Sequence, residues 1–328
     1  MARNQCVNRS KKVKLKPETV VKLALFTRRF ARDRNPVGFW LCRKLVRLVY
    51  PKESAWAVTG PQTFLVEYEQ GMIRVDATRS LDYSILFRGH HQVELVKLMR
   101  RVVRPGSVCL DIGANIGSLT LVLAYAAGPQ GRIVAVEPHP GIARQLRHNL
   151  ALNDIRNVCV VEAALCCEHD GDVPFYVFQD DASKRGVSSL TPSSRATKRV
   201  TVRGMSGRTL LEETGISRCD FIKIDVEGHE MPVLRTLHGL ICNCHPRVVF
   251  EYQRANWERS GYDVDEAIRM FQELGYETYY VTRGLIQPAG GNVPPETCDF
   301  FCVPPLGPQV APGGGPVQNV CASEYSGH

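Results

Sequence analysis

Short apolar, β-branched runs alternate with stretches of helical period through the middle of this 328-residue chain. Val108–Ile112 has the composition of a strand buried on both faces, and Leu119, Leu121, Val122, Leu123 and Ala126 recur as apolar positions do on a helix. A second buried strand follows at residues 133–136. The alternation continues as helix 141–153, strands 158–162, 173–178 and 200–202, and helix 208–214. Strand 221–225, helix 229–237, strand 247–252, helix 264–274 and strands 277–282 and 299–303 complete it. Such alternation predicts an α/β fold, a largely parallel sheet covered by helices on both faces. Upstream, residues 63–68 and 72–75 alternate with period two around Gln70-Gly71 and predict a β-hairpin; a helix over 93–103 and a turn at Pro105-Gly106 follow.

The run Asp111-Ile-Gly-Ala-Asn-Ile-Gly117 joins the first core strand to its helix, and Val136-Glu-Pro138 closes the second strand. Gly113 and Gly117 let the backbone pass close to a ligand. Glu137 stands twenty residues after Gly117 at a strand tip, where a carboxylate can accept from both hydroxyls of a ribose. The unit therefore reads as an adenosine site. A dinucleotide fingerprint needs a third glycine for its pyrophosphate, and Ile116 and Ser118 do not supply it. Asp111, two residues before the first glycine, would repel a pyrophosphate but suits a ligand bearing an ammonium and a sulfonium. S-adenosylmethionine carries both and is the expected cofactor, with an NAD-dependent oxidoreductase as a rival reading.

Together with Ala163-Ala-Leu165 and Lys223-Ile-Asp-Val-Glu-Gly-His-Glu230, these motifs resemble the FkbM-type methyltransferases, class I S-adenosylmethionine enzymes, over residues 94–304. The Lys223 to Glu230 block is the most specific part. The resemblance implies a Rossmann-like fold with a seven-stranded, mostly parallel sheet of order 3-2-1-4-5-7-6, and O-methylation of a hydroxyl on a sugar, glycolipid or secondary product. It assigns the cofactor to Asp111, Gly113, Asn115, Gly117, Glu137, Pro138, Glu162 and Ala163. Related sequences often carry Asn where Glu162 stands, so the role of Glu162 stays open.

Ligands of open α/β sheets sit beyond the carboxyl ends of the strands, which gathers Asp225, Glu227, His229 and Glu251 as candidate catalytic groups. Methyl transfer to an alcohol needs in-line positioning and a base for the hydroxyl proton. A carboxylate serves better at that hydroxyl than at the sulfonium, whose charge vanishes during transfer. Any of the four can be the base; Glu251 can alternatively pair with Lys223 or Arg254, and Glu230 suits the first turn of its helix. A divalent cation held by Asp225, Glu227 and Glu251 is a further reading, and no other metal-ligand set is assigned. The fourth strand ends Asp-Val-Glu-Gly rather than in a proline-aromatic turn, and its acids would repel phosphate, which argues against a nucleic-acid methyltransferase.

Charge divides the chain. The net charge is +8, yet residues 1–52 hold 15 Lys and Arg against two acids, an excess of +13 that leaves the remainder at −5. Four regions follow: a basic arm at 1–52, partly disordered or helical; an accessory hairpin cap at 53–92; the methyltransferase domain at 93–304; and a Pro/Gly-rich, disordered tail at 305–328. The arm reads either as a surface for an anionic membrane or acidic glycolipid, or as a helical lid or presequence. The polar stretch 180–198 lies between the strands of an expected hairpin, 173–178 and 200–202, and is expected to be a substrate lid. Twelve cysteines without a C-x-x-C pair fit a reducing, cytoplasmic setting with possible membrane association. The spacing of Cys242, Cys244, His245, Cys298 and Cys302 is not that of a common zinc module. No run approaches the ~20 apolar residues of a membrane span.

Overall fold

The computed structural model describes residues 63–76, 79–166, 170–177, 188–191, 198–282, 285–289 and 294–305. The basic arm, the tail beyond 305 and most of the 180–198 stretch lie outside them.

A hairpin, β1 (Thr63–Tyr68) and β2 (Gly71–Asp76), leads into α1 (Ser80–Arg88) and α2 (Val93–Val102). The core then runs β3 (Val108–Ile112), α3 (Ser118–Ala127), β4 (Arg132–Val136), α4 (Pro140–Ala151) and β5 (Val158–Val161). Strands β6 (Ala164–Leu165), β7 (Gly171–Val177), β8 (Ser188–Ser189) and β9 (Lys198–Met205) follow, then α5 (Gly207–Thr214), β10 (Phe221–Ile224), α6 (Glu230–Thr236) and α7 (His238–Cys244). The chain closes with β11 (Arg247–Gln253), α8 (Arg254–Ser260), α9 (Val264–Glu273), β12 (Glu277–Thr282), β13 (Leu285–Pro288) and β14 (Thr297–Val303).

The main sheet has the order β13-β12-β14-β11-β10-β3-β4-β5. From β5 inward this is 3-2-1-4-5-7-6 with β13 added, so eight strands stand where seven are expected. β13 escapes sequence reading because it is four residues ending in Pro288, a composition tolerated only at a sheet edge. β14 pairs antiparallel with both β11 and β12, while β3, β4, β5, β10 and β11 pair in parallel. Of the strands expected at 173–178 and 200–202, the described residues 173–177 and 200–202 do not join this sheet. They belong to a separate sheet of order β6-β9-β7-β8, in which β7 and β9 are antiparallel.

Period two sorts the strand residues between two cores. Cys109, Phe221, Val249 and Phe301 face α2, α3 and the hairpin, and Leu110, Ile112, Ile222, Ile224, Val248, Phe250 and Phe300 face the helices α5 to α9. One core stacks the rings of Phe250 and Phe300 at 4.9 Å. The hairpin lies along the flank of α4, away from that helix's first turn. Asn149, fully buried, accepts from the Arg74 amide at 2.8 Å and donates to the Ile116 carbonyl at 2.8 Å. Asn153 exchanges two bonds of 2.7 Å with the Met72 backbone.

Asn149 thus satisfies backbone groups of two segments at once. Replacing it by Ala leaves buried polar groups unpaired, and Asn149→Ala should lower stability by about 2–3 kcal/mol. An unchanged urea midpoint with unchanged slope would contradict this role.

Candidate active site

The turn after β3 is shaped by its neighbours before any ligand is considered. The amides of Gly113 and Ala114 both donate to the Val136 carbonyl at 3.0 Å, which ties the turn to the tip of β4. Gly113 has φ +77, and a Cβ there would lie 1.9 Å from the Asp225 carbonyl oxygen. Gly117 has φ +88, and a Cβ would lie 2.3 Å from Leu146 on α4. Both glycines therefore serve close chain-to-chain approach, Gly117 through helix packing rather than through ligand contact.

Glu137 is buried at the β4 tip, and the loop folds around its carboxylate. One oxygen accepts from the Asn115 amide at 3.0 Å and the other from the His139 amide at 2.9 Å. Burial outweighs those bonds and pushes its pKa up to about 7. His139 caps α4 by accepting from the Gly141 and Ile142 amides, with Pro140 in the first turn.

These residues border a cleft whose atom-free space, open mouth included, is about 630 Å³. Gly113, Asn115, Glu137, Pro138 and Ala163 line it, together with Asp225 and Glu227. Three residues expected at the cofactor stand elsewhere. Gly117 packs on α4 as described. Glu162 reaches Arg147, 2.9 Å away, and leaves the third-strand wall to Ala163, Ala164 and Leu165.

Asp111 is the third, and its placement corrects the charge argument. Its side chain is fully buried behind the turn, accepting from Thr120 Oγ1 at 2.6 Å and paired with Lys223 Nζ at 3.2 Å. Lys223, paired in register with Asp111 on the neighbouring strand, donates to the Gly113 carbonyl at 2.8 Å and lies 3.9 Å from Asp225 Oδ2. Burial works against its charge, but Asp111 and Asp225 overcome that and hold its pKa above the ordinary lysine value. Lys223 supports the site and was not singled out as a site residue. The signal for it was a lysine inside the apolar strand Phe221–Ile224, which demands a buried partner.

Asp225, Glu227 and Glu251 come together, each offering an oxygen within 4.8 Å of the others'. Asp225 accepts from Gln92 Nε2 at 3.4 Å, and Glu227 from Asn256 Nδ2 at 2.9 Å. Glu251 lies opposite Asp299 in the β11–β14 register and pairs with neither Lys223 nor Arg254; Arg254 instead meets Glu296 at 3.0 Å. Burial, then Asp225, Glu227, Glu230 and Asp299, drive the Glu251 pKa well above the usual carboxylate range. Burial likewise brings Asp299 to about 7 and Glu230 to about 8. Glu230 accepts from the Val226 and Gly228 amides and fixes the turn.

His229 is not brought to this group. It borders a second cavity with Leu190 and Tyr262, and its Nδ1 is 3.3 Å from Thr191 Oγ1. Burial, then Arg259, lowers its pKa to about 4, which makes it a weak base at neutral pH.

A strand order of 3-2-1-4-5-7-6, a glycine turn after the first of these strands and a carboxylate at the tip of the second define a Rossmann-like class I methyltransferase. The model of the methyltransferase FkbM domain matches residues 111–278, just over half of the chain, and the chain belongs to that family. The family is one of methyltransferases. Methyltransferase sdnD of Sordaria araneosa is 28% identical over 179 residues, 46% of this chain and 67% of that protein. Hexuronic acid methyltransferase AglP of Haloferax volcanii is 24% identical over 143 residues, 43% of this chain and 54% of that protein. The chain thus spans between about half and two thirds of these relatives. Among solved structures, a SAM-dependent O-methyltransferase from Thermotoga maritima aligns with a TM-score of 0.37 and 16% identity, covering 78% of this chain and 80% of that one.

Glu137, Glu230, Glu251 and Asp299 all hold protons more tightly folded than unfolded. Between about pH 6.5 and 8.5 the unfolded chain has already released them, so the folded protein binds more protons and stability falls as pH rises. The depressed His139 and His229 oppose this weakly at the low end of the window, where the unfolded imidazoles are still losing their protons, and cease to change above about pH 7.5. The Tm of the ligand-free protein should therefore fall from pH 6.5 to 8.5; a flat or rising Tm in low-salt buffer would show that these carboxyls are not buried as described.

Proposed function

We propose that this enzyme methylates a hydroxyl of a small-molecule or glycan acceptor, a sugar, glycolipid or secondary metabolite, with Glu251 as general base. The observation that carries this reading is the convergence of Asp225, Glu227 and Glu251 at the border of a cleft that Asp225 and Glu227 themselves line.

The residues present fit S-adenosylmethionine. Glu137 offers a buried carboxylate for ribose hydroxyls, and Asp225 offers a carboxylate for an ammonium near the glycine turn. When bound, the cofactor supplies an electrophilic methyl group. The protein's share is to hold the acceptor oxygen in line and to take its proton. Asn256 and Gln92 keep the Glu227 and Asp225 carboxylates in place by hydrogen bonds. Glu251, with its raised proton affinity, is a stronger base than an exposed carboxylate once ionised, so transfer should quicken as pH rises through its pKa.

A hydroxyl acceptor is favoured by this acid set and by the FkbM resemblance, and a sugar acceptor by the hexuronic acid methyltransferase among the relatives. A nucleic-acid acceptor is disfavoured because the same acids repel phosphate. We place the enzyme in the cytoplasm, with the basic arm at 1–52 as its contact with an anionic membrane or acceptor. No helix among the described residues is long and apolar enough to cross a membrane.

A second reading is favoured by the same three oxygens. Asp225, Glu227 and Glu251 are hard ligands suited to a divalent cation, which would polarise the hydroxyl and relieve the repulsion among the acids.

Two measurements separate these roles. Calorimetry with S-adenosylhomocysteine should show about ten-fold or greater weakening in Glu137→Ala, and no change in Glu251→Gln, while Glu251→Gln slows methyl transfer by about 10² to 10⁴. Equal affinity in wild type and Glu137→Ala would remove the ribose assignment. For the cation, Mn²⁺ added to EDTA-treated protein should lose its free-ion EPR signal with wild type and keep it with Glu227→Gln. Activity that survives EDTA, with no Mn²⁺ bound, would leave Glu251 acting without metal.

A further inference from the structure

The cleft changes character along its length. Near the glycine turn it is bordered by Asp225 and Glu227, whereas near the third core strand its wall is apolar, formed by Ile142 from α4 and by Ala163, Ala164 and Leu165. Two more apolar side chains on that wall come from outside the Rossmann core: Phe175 of β7 and Leu190, which directly follows β8. Phe175 is 5% exposed and packs in one cluster with Ala164, Val177 and Val202, with Leu190 against it.

We propose that the accessory sheet is part of the donor site, and that Phe175 and Leu190 complete an apolar slot for the adenine ring beside Pro138 and Ile142. This rests on the S-adenosylmethionine reading and adds residues that neither the glycine motif nor the β4 carboxylate indicates. An adenine is flat, weakly solvated and polarisable, so an aromatic ring and a branched aliphatic chain are suitable partners. Among the described residues the slot carries no cationic side chain to hold a phosphate, and Glu137 at its edge marks where the ribose leaves it. Leu190 is held in position by its neighbours. Ser189 Oγ donates to the Glu227 carbonyl at 3.2 Å, and Thr191 Oγ1 is 2.6 Å from Ser260 Oγ at the end of α8. The segment that closes over the base is thereby anchored to the turn that carries Glu227.

Calorimetry with two ligands tests the assignment. S-adenosylhomocysteine has the adenosine and the amino-acid tail; 5′-methylthioadenosine has the adenosine without that tail. Phe175→Ala and Leu190→Ala should each weaken both ligands by the same factor, about ten-fold, and Phe175→Leu should recover part of the loss. Val202→Ala, in the same cluster but not on the cleft, should bind both as wild type does, which separates ring contact from damage to the sheet. Unchanged affinities in Phe175→Ala and Leu190→Ala, or a loss confined to S-adenosylhomocysteine, would overturn the proposal while a Glu137→Ala defect left the donor reading standing. Failure of the wild type to bind either ligand would overturn both.

Discussion

A lysine sealed inside the sheet, one strand away from an aspartate, is the constraint around which this site is organised. Lys223 and Asp111 occupy register positions on neighbouring parallel strands, both on the face turned toward α3. Losing one member of such a pair strands the other charge, at a cost of about 3–5 kcal/mol. The pair also reaches outward, because the same ammonium bonds the Gly113 carbonyl and stands near Asp225. A fault in this one interaction would loosen the glycine turn and shift the nearest acid together.

The carboxylates beyond it stand in different surroundings. Asp225 has Lys223 close by, whereas Glu251 and Asp299 face one another across β11 and β14, with other acids around them and burial working against their charge. The raised proton affinity of Glu251 suits it to take up a proton, and the hydrogen bond from Gln92 suits Asp225 to orient a ligand.

The alternating pattern revealed most of the sheet because each core strand is a contiguous apolar run between turn residues. It could not reveal which strands share a sheet. β7 and β9 have the local character of core strands; the polar stretch between them marked them as a hairpin, and they do pair antiparallel, but nothing local says that the hairpin leaves the main sheet. The cofactor turn was legible for a similar reason, since Gly113 and Glu137 are fixed by backbone conformation and strand-tip position. Asp111 and Glu162 were harder because sequence does not state which way a side chain at a strand end points. Parity does carry that information: Asp111 shares its face with Cys109, which belongs to the core under α3, and so faces inward. His229 was misleading in another way, as chemical aptitude at pH 7 says nothing about burial, and burial removes its basicity. Phe175 and Leu190 gave no signal, being ordinary apolar residues far from the glycine motif in sequence.

The unit of sequence similarity and the unit of folding differ in extent here. The match to the family model begins at residue 111, yet Asn149 joins the Arg74 backbone of the hairpin to Ile116 inside the glycine loop. Val66, Tyr68, Ile73 and Val75 are nearly inaccessible and belong to the same apolar cluster as α3. An excised fragment starting at the first core strand would leave that cluster open to water and Asn149, the anchor of the loop's Ile116 carbonyl, half-satisfied. Any transplant or minimised version of this catalytic body has to carry the upstream hairpin with it, even though no family motif lies there.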